Sequence, residues 1–150
     1  MSYTQEELTI FDGINQLVKF AHRAAVKAGW WTRKSSLGDG YFDLREPIRN
    51  PIEGTESQLL AGLLVSQKLA LIHSEISEAL EGHRKGLMGD KLPHRKMVEV
   101  ELADAMIRIA DLAGAMGLDL GGAMVEKMAY NVNREDHKPD NRNAPGGKSY

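Results

Sequence analysis

Residues 99–114 read EVELADAMIRIADLAG, an apolar helical pattern with acidic residues set into its interior. Val100, Leu102, Ala103, Ala105, Met106, Ile107, Ile109 and Ala110 leave only a narrow polar strip. At roughly 100° per residue, Glu101 and Asp104 share one face, and Arg108 and Asp111 fall within about a quarter-turn of it, so Asp111 is expected to support the site and to pair with Arg108 or a basic residue of the fourth helix. A helix apolar nearly all round is expected to be central, with its carboxylates turned inward. Unpaired charges in an interior cost on the order of several kcal/mol, so a cation is expected beside them.

Outward from this helix the same period recurs and the two-residue alternation of strands is almost absent, so the fold class is expected to be all-α, a four-helix bundle-like arrangement. The first helix is expected over about 5–29, opened by a capping box of Thr4 and Glu7 and followed by a long ordered loop, 30–53, with Gly38, Gly40, Pro47 and Pro51. That loop is a candidate lid or binding segment. A second helix is expected over about 56–86, with Thr55 and Gln58 as its capping pair. The third runs from Pro93 to a stop at Gly117, and the fourth is capped by Asp119 and continues to about Arg134. The domain is therefore expected to span 1–134. The polar stretch 135–150, REDHKPDNRNAPGGKSY without its first residue, is expected to be a tail that cannot fold alone and is disordered or laid on a partner subunit.

Composition narrows the chemistry. The chain has 150 residues, 19 Lys and Arg against 21 Asp and Glu, and no cysteine. A formal net charge of −2 gives no global field for nucleic acid, so an anionic ligand needs a local site. Disulfides, thiolate zinc sites and cysteine nucleophiles are excluded together. The N-terminus lacks the pattern of a signal peptide and no apolar run is expected to reach the roughly 18 residues a membrane span needs, so no membrane partner and a cytoplasmic location, the host cytoplasm for a viral protein, are expected.

A second helix repeats the acidic pattern. LIHSEISEALEGHRKG, residues 71–86, carries Glu75 and Glu78 at a spacing that puts both on one face. Each pair taken alone has a second reading, as the solvated face of an amphipathic helix. Taken together, two inward pairs call for a hard divalent ion, because all-oxygen ligands suit Mg²⁺, with Mn²⁺ plausible, rather than zinc. A di-iron bundle needs Glu-x-x-His pairs, and no Glu here has His three residues on. The five histidines are scattered and read as surface or supporting residues. On the fourth helix Lys127, Asn131 and Arg134 share a face, suited to a polyphosphate if it stands opposite the carboxylates and ordinary if it does not.

Glu75-Ile-Ser-Glu78, then Glu101-Leu-Ala-Asp104, then Lys127, Asn131 and Arg134 resemble, in order, the pattern of the MazG-like all-α nucleoside triphosphate pyrophosphohydrolases, related to dimeric dUTPases and dCTP pyrophosphatases. The resemblance covers about 71–134. One departure is Ser74, where the family often carries a further glutamate. The resemblance implies that Glu75, Glu78, Glu101 and Asp104 are metal ligands and catalytic residues, with Glu75 or Glu78 orienting or deprotonating water. It implies that Lys127 and Arg134 meet phosphate oxygens and that Asn131 meets a phosphate or the sugar. The expected reaction is hydrolysis of a nucleoside or deoxynucleoside triphosphate to a monophosphate and pyrophosphate.

Base recognition has two open readings. Trp30 and Trp31, in a Gly-Trp-Trp similar to that of phage and bacterial members, stack on a base or pack the loop; Asn15 and Gln16 read a base edge or face water. A purine triphosphate such as dGTP is slightly preferred. A homodimer or homotetramer is expected to close the site. The alternative is a non-catalytic nucleotide- or protein-binding member of the same fold.

Overall fold

The computed structural model describes residues 3–35 and 38–145; the residues expected at the very end of the tail, 146–150, lie outside it. The chain is mostly helical: α1 (Gln5–Lys27), β1 (Thr32–Lys34), β2 (Tyr41–Asp43), α2 (Glu46–Arg49), α3 (Glu56–Lys85), α4 (Met97–Met116), α5 (Leu120–Val132) and α6 (Pro139–Asn143). The all-α class holds. The stretch expected to be a loop, however, contains a small antiparallel hairpin pairing Thr32 with Asp43 and Lys34 with Tyr41, and then the short α2. Three-residue strands are too short for an alternating pattern to register. Arg45 locks the end of the hairpin by gripping Asp43, with Nη2 to Oδ2 at 2.6 Å and Nε to Oδ1 at 2.9 Å. That grip holds the Asp43 carboxyl down to about 2.

Local chemistry accounts for most of the helix ends. Thr4 N donates to Glu7 Oε2 at 2.7 Å and Glu7 N donates to Thr4 Oγ1 at 3.2 Å, the reciprocal capping box expected for α1. The capping pair expected for α3 is corrected: Thr55 Oγ1 instead donates to Ile52 O at 2.6 Å, and Gln58 Oε1 accepts from Gly54 N at 2.9 Å. Gly86 and Gly117, at φ 64° and 68°, end α3 and α4 in the left-handed conformation. Leu87 N to Gly82 O and Leu118 N to Ala113 O, both 2.9 Å, complete the terminal turns.

Two helix boundaries differ from expectation. α4 begins at Met97 rather than at Pro93, because the connection folds back on itself through Gly89 N to Arg95 O and Met97 N to Leu87 O, both 2.9 Å. α5 is capped as expected, Asp119 Oδ1 accepting from Gly122 N at 3.0 Å, but stops at Val132. Of the tail, Glu135–His137 forms one 3₁₀ turn and α6 follows; neither contributes a buried residue among those described.

The chain divides into two compact units. The first joins the N-terminal stretch up to Asn15 with everything from Asp119 onward; the second is Gln16–Leu118. In the first, Asn15 Oδ1 accepts from Gly121 N at 3.0 Å and Asn15 Nδ2 donates to Asp119 Oδ1 at 2.9 Å, tying α1 to the start of α5.

In the second unit α3 and α4 form the dominant packing, antiparallel, with Gly82 against Met97 at one end and Lys68 against Asp111 at the other. The facing stripes follow helical spacing: Leu64, Lys68, Glu75, Ala79 and Gly82 on α3, and Glu101, Ala105, Arg108, Leu112 and Ala115 on α4. α4 supplies much of the core with Ala105, Ala110, Leu112, Ala113 and Ala115. It is not surrounded, though, because Leu102, Met106, Ile107 and Ile109 are exposed, so the expectation of a helix buried all round is corrected. α3 likewise exposes Leu59, Leu63, Leu69, Ile76 and Leu80. By length and composition α3 is apolar enough to cross a membrane, and only 11% of the qualifying window is buried.

Candidate metal centre

The seam between α3 and α4 is where acidic residues meet. The antiparallel register sets Glu78 level with Glu101 and puts Glu75 between Glu101 and Arg108, one turn to either side. One carboxylate oxygen from each of Glu75, Glu78 and Glu101 lies within 4.8 Å of the others. Glu75 is buried, Glu101 partly buried and Glu78 exposed, so the cluster opens to solvent on one side. Asp104, the fourth expected ligand, is exposed and falls outside this trio; it stands some 60° round the helix from Glu101. It still adds its negative field to Glu101.

The electrostatics are those of a site short of positive charge. Burial, a hydrogen bond with Glu75 and the fields of Glu78, Glu75 and Asp104 all push the Glu101 carboxyl above its ordinary value. Among the described residues a single cationic side chain enters the cluster: Arg108, whose Nε lies 2.8 Å from Glu75 Oε1. A hard divalent ion fits the donor set. Oxygens on opposite sides of an octahedral Mg²⁺ stand at most about 4.2 Å apart, so the trio needs only small side-chain movements to converge. The chemistry suits Mg²⁺ and Mn²⁺ alike.

Two turns further along the seam lies a different arrangement. Asp111 is buried; its Oδ1 accepts from Trp31 Nε1 at 2.7 Å and from His22 Nδ1 at 2.8 Å, and Lys68 Nζ is 3.8 Å from Oδ2. Arg49 Nη2 lies 3.1 Å from His22 Nε2. An arginine only donates, so Nε2 accepts and the ring proton sits on Nδ1, aimed at Asp111. Lys68 also caps the face of Trp31, 4.0 Å from the ring centroid. Burial, and the positive fields of Arg108 and Arg33, push the Lys68 amine below its ordinary value despite the pull of Asp111. The pairing of Asp111 with Arg108 or the fourth helix suggested by its face is corrected: its partners come from α1, the residue before β1, and α3.

The remaining expected residues divide. Trp31 is fully buried and committed to Asp111, which leaves Trp30, 68% exposed, as the indole with an open face. Both ends of the Asn15 amide are engaged by Asp119 and Gly121, while Gln16 lines a shallow surface hollow along α1 with Lys19, Phe20 and Arg23. Lys127 and Asn131, on α5, and Arg134, just beyond it, belong to the other unit. There Lys127 Nζ stands 4.5 Å from the Tyr130 ring centroid, and Asn131 Oδ1 is buried without a hydrogen-bond partner.

Arg108 brings positive charge to the trio and Lys68 brings it to the neighbouring Asp111, and neither was assigned there from sequence. Their signal was present: each is spaced along the seam stripe of its helix, Lys68 with Leu64 and Glu75, and Arg108 with Glu101 and Leu112. No known protein family, curated protein or solved structure matches the chain.

Proposed function

We propose that the chain is a Mg²⁺-dependent nucleoside triphosphate pyrophosphohydrolase, with Mn²⁺ as an alternative ion. The observation that carries this reading is the trio of Glu75, Glu78 and Glu101, drawn from two helices and within 4.8 Å of one another. The ordered resemblance of these residues, with Asp104, to the MazG-like pattern gives the reaction class. Glu75, Glu78 and Glu101 would hold the ion, with Asp104 deepening the negative field. Bound Mg²⁺ supplies positive charge against the phosphate oxygens and makes water a better nucleophile. A carboxylate oxygen of Glu75 or Glu78 then takes the proton from the attacking water. The water oxygen bonds the α-phosphorus, the bond from that phosphorus to the α,β-bridging oxygen breaks, and pyrophosphate leaves. Lys127, Asn131 and Arg134 keep the phosphate and sugar roles implied by the resemblance, Trp30 is the candidate base-stacking residue, and a purine such as dGTP or GTP is the preferred base.

A homo-oligomer, a dimer or a dimer of dimers, completes the proposal. Apolar stripes on both seam helices face outward, and a second copy would cover them. The decisive experiment incubates the protein with a panel of NTPs and dNTPs plus Mg²⁺ and separates the products. Monophosphate and pyrophosphate are expected, strongest with a purine, and lost in Glu101→Gln. Diphosphate and orthophosphate, or no turnover with any nucleotide, overturns the proposal.

A further inference from the structure

Arg108 is placed unlike an ordinary surface cation. Its Nε contacts Glu75 Oε1 at 2.8 Å, yet the two partners differ sharply in exposure, 43% for the Arg108 side chain against 7% for Glu75. The carboxylate is fixed in the seam, whereas the guanidinium reaches it from the open side. Among the described residues, the two terminal nitrogens of Arg108 form no hydrogen bond. Glu101 lies seven residues earlier on the same stripe of α4, so one helix face presents both a carboxylate of the trio and the cation that touches another member.

This arrangement has a direct consequence for any ion entering the trio. Glu75 Oε1 cannot serve the guanidinium and a divalent ion at full strength together, because both seek the same lone pairs and repel each other. A side chain that is half in water and joined to the cluster through one nitrogen can leave at low cost. Its planar fork then faces the solvent side of the site, where an anion brought in on the ion would lie. Lys68, which feels the fields of both Arg108 and Arg33, carries further positive charge along the seam at Asp111. An anion therefore enters only with a divalent ion that answers the carboxylates of the trio, and Arg108 is the side chain at the trio placed to meet its oxygens.

We propose that Arg108 is an exchangeable cation of the site: it occupies Glu75 until a divalent ion arrives, then releases the carboxylate and binds a phosphate oxygen of the incoming polyphosphate. This rests on the metal centre proposed above and adds to it a positioning residue with two successive partners. Arg108 therefore opposes binding of the bare ion and assists binding of the ion with polyphosphate. A residue with a merely structural role would not affect the two events in opposite directions.

The test measures each event without turnover. Mn²⁺ is titrated into wild type, Arg108→Gln and Glu101→Gln, with free ion followed by electron paramagnetic resonance. The titration is then repeated with an α,β-methylene deoxyguanosine triphosphate, whose affinity is measured calorimetrically. Arg108→Gln is expected to bind Mn²⁺ alone about threefold more tightly than wild type. In the presence of Mn²⁺ it is expected to bind the analogue about tenfold more weakly. Should the glutamine variant fail to fold, Arg108→Lys serves in its place, its point charge binding the analogue several-fold more weakly than the fork. Unchanged or weaker Mn²⁺ binding in the variant, or unchanged analogue affinity, overturns the role of Arg108 while leaving the metal centre standing. If wild type binds no Mn²⁺, or Glu101→Gln binds it equally well, the metal centre falls and the role of Arg108 falls with it.

Discussion

At the scale of single residues, Glu101 and Asp111 show how differently two acids on one helix can be satisfied. Asp111 is surrounded by donors from positions 80 and 89 residues earlier in the chain, Trp31 and His22, together with Lys68. No local spacing reveals partners that distant, which is why the sequence placed Asp111 on the correct helix but gave it the wrong neighbours. Glu101 and its companion carboxylates were legible because their spacing is local within each helix. What spacing could not convey is that the seam register favours Glu78 and Glu75 over Asp104. Glu101 has the larger consequence for pH. Its carboxyl lies above the ordinary 4.5, so the folded chain retains a proton that the unfolded chain releases. The stability this contributes is present below 4.5 and is lost as pH rises through the elevated value. In metal-free buffer, the urea midpoint of wild type minus that of Glu101→Gln should therefore fall as pH is raised from about 4 towards neutrality. Saturating Mg²⁺ should counter that fall, because the ion binds the deprotonated carboxylate. A difference that is flat, or that rises without Mg²⁺, contradicts the proton-holding role of Glu101.

At the scale of elements, the helices were legible through their ends. The Thr4–Glu7 box, the glycines at 86 and 117 and the Asp119 cap act within one turn, so a short window of sequence contains all their chemistry. Pro93 misled because proline tolerates a turn as readily as a first helical position, and the contacts that decide the matter join residues 87–89 to 95–97. Close approach between elements is likewise invisible in sequence. Gly114 on α4 faces His22 on α1, and a Cβ there would lie 2.5 Å from His22 Cβ. Helix propensity favours alanine over glycine by about 1 kcal/mol in a helix interior. The clash should prevail, since it involves atoms attached directly to the backbone and His22 is held by Asp111 and Arg49. Gly114→Ala is expected to destabilise the protein by about 2 kcal/mol in urea unfolding. A variant as stable as wild type, or more so, would show that α1 and α4 separate freely.

At the scale of the whole molecule, the acidic trio and the exposed apolar faces arise from the same two helices. Leu69, Ile76 and Leu80 lie within about 40° of one another on α3, and Leu102, Met106 and Ile109 within about 60° on α4. All six are more than a third exposed, at 49%, 46%, 58%, 48%, 52% and 39%. The inward stripe of each helix meets the other helix, so these outward stripes have no cover within the α3–α4 pair. The sequence pattern of α4 is that of a helix covered on every side, and one chain provides only part of that cover. The proposed second copy would supply the remainder, and an apolar phase is the rival cover, since α3 is long and apolar enough by length and composition to cross a membrane. The proposed homo-oligomer predicts a mass of two or four times 16.6 kDa by light scattering in detergent-free buffer. Met106→Lys should lower that mass towards a single chain by placing a charge in the covered face. A wild-type mass of one chain, or a protein that stays dispersed only in detergent, would remove the oligomer. It would also leave the acidic seam with the solvent access it has in a single chain, and Mg²⁺ would then have to hold a triphosphate without a neighbouring subunit to exclude water.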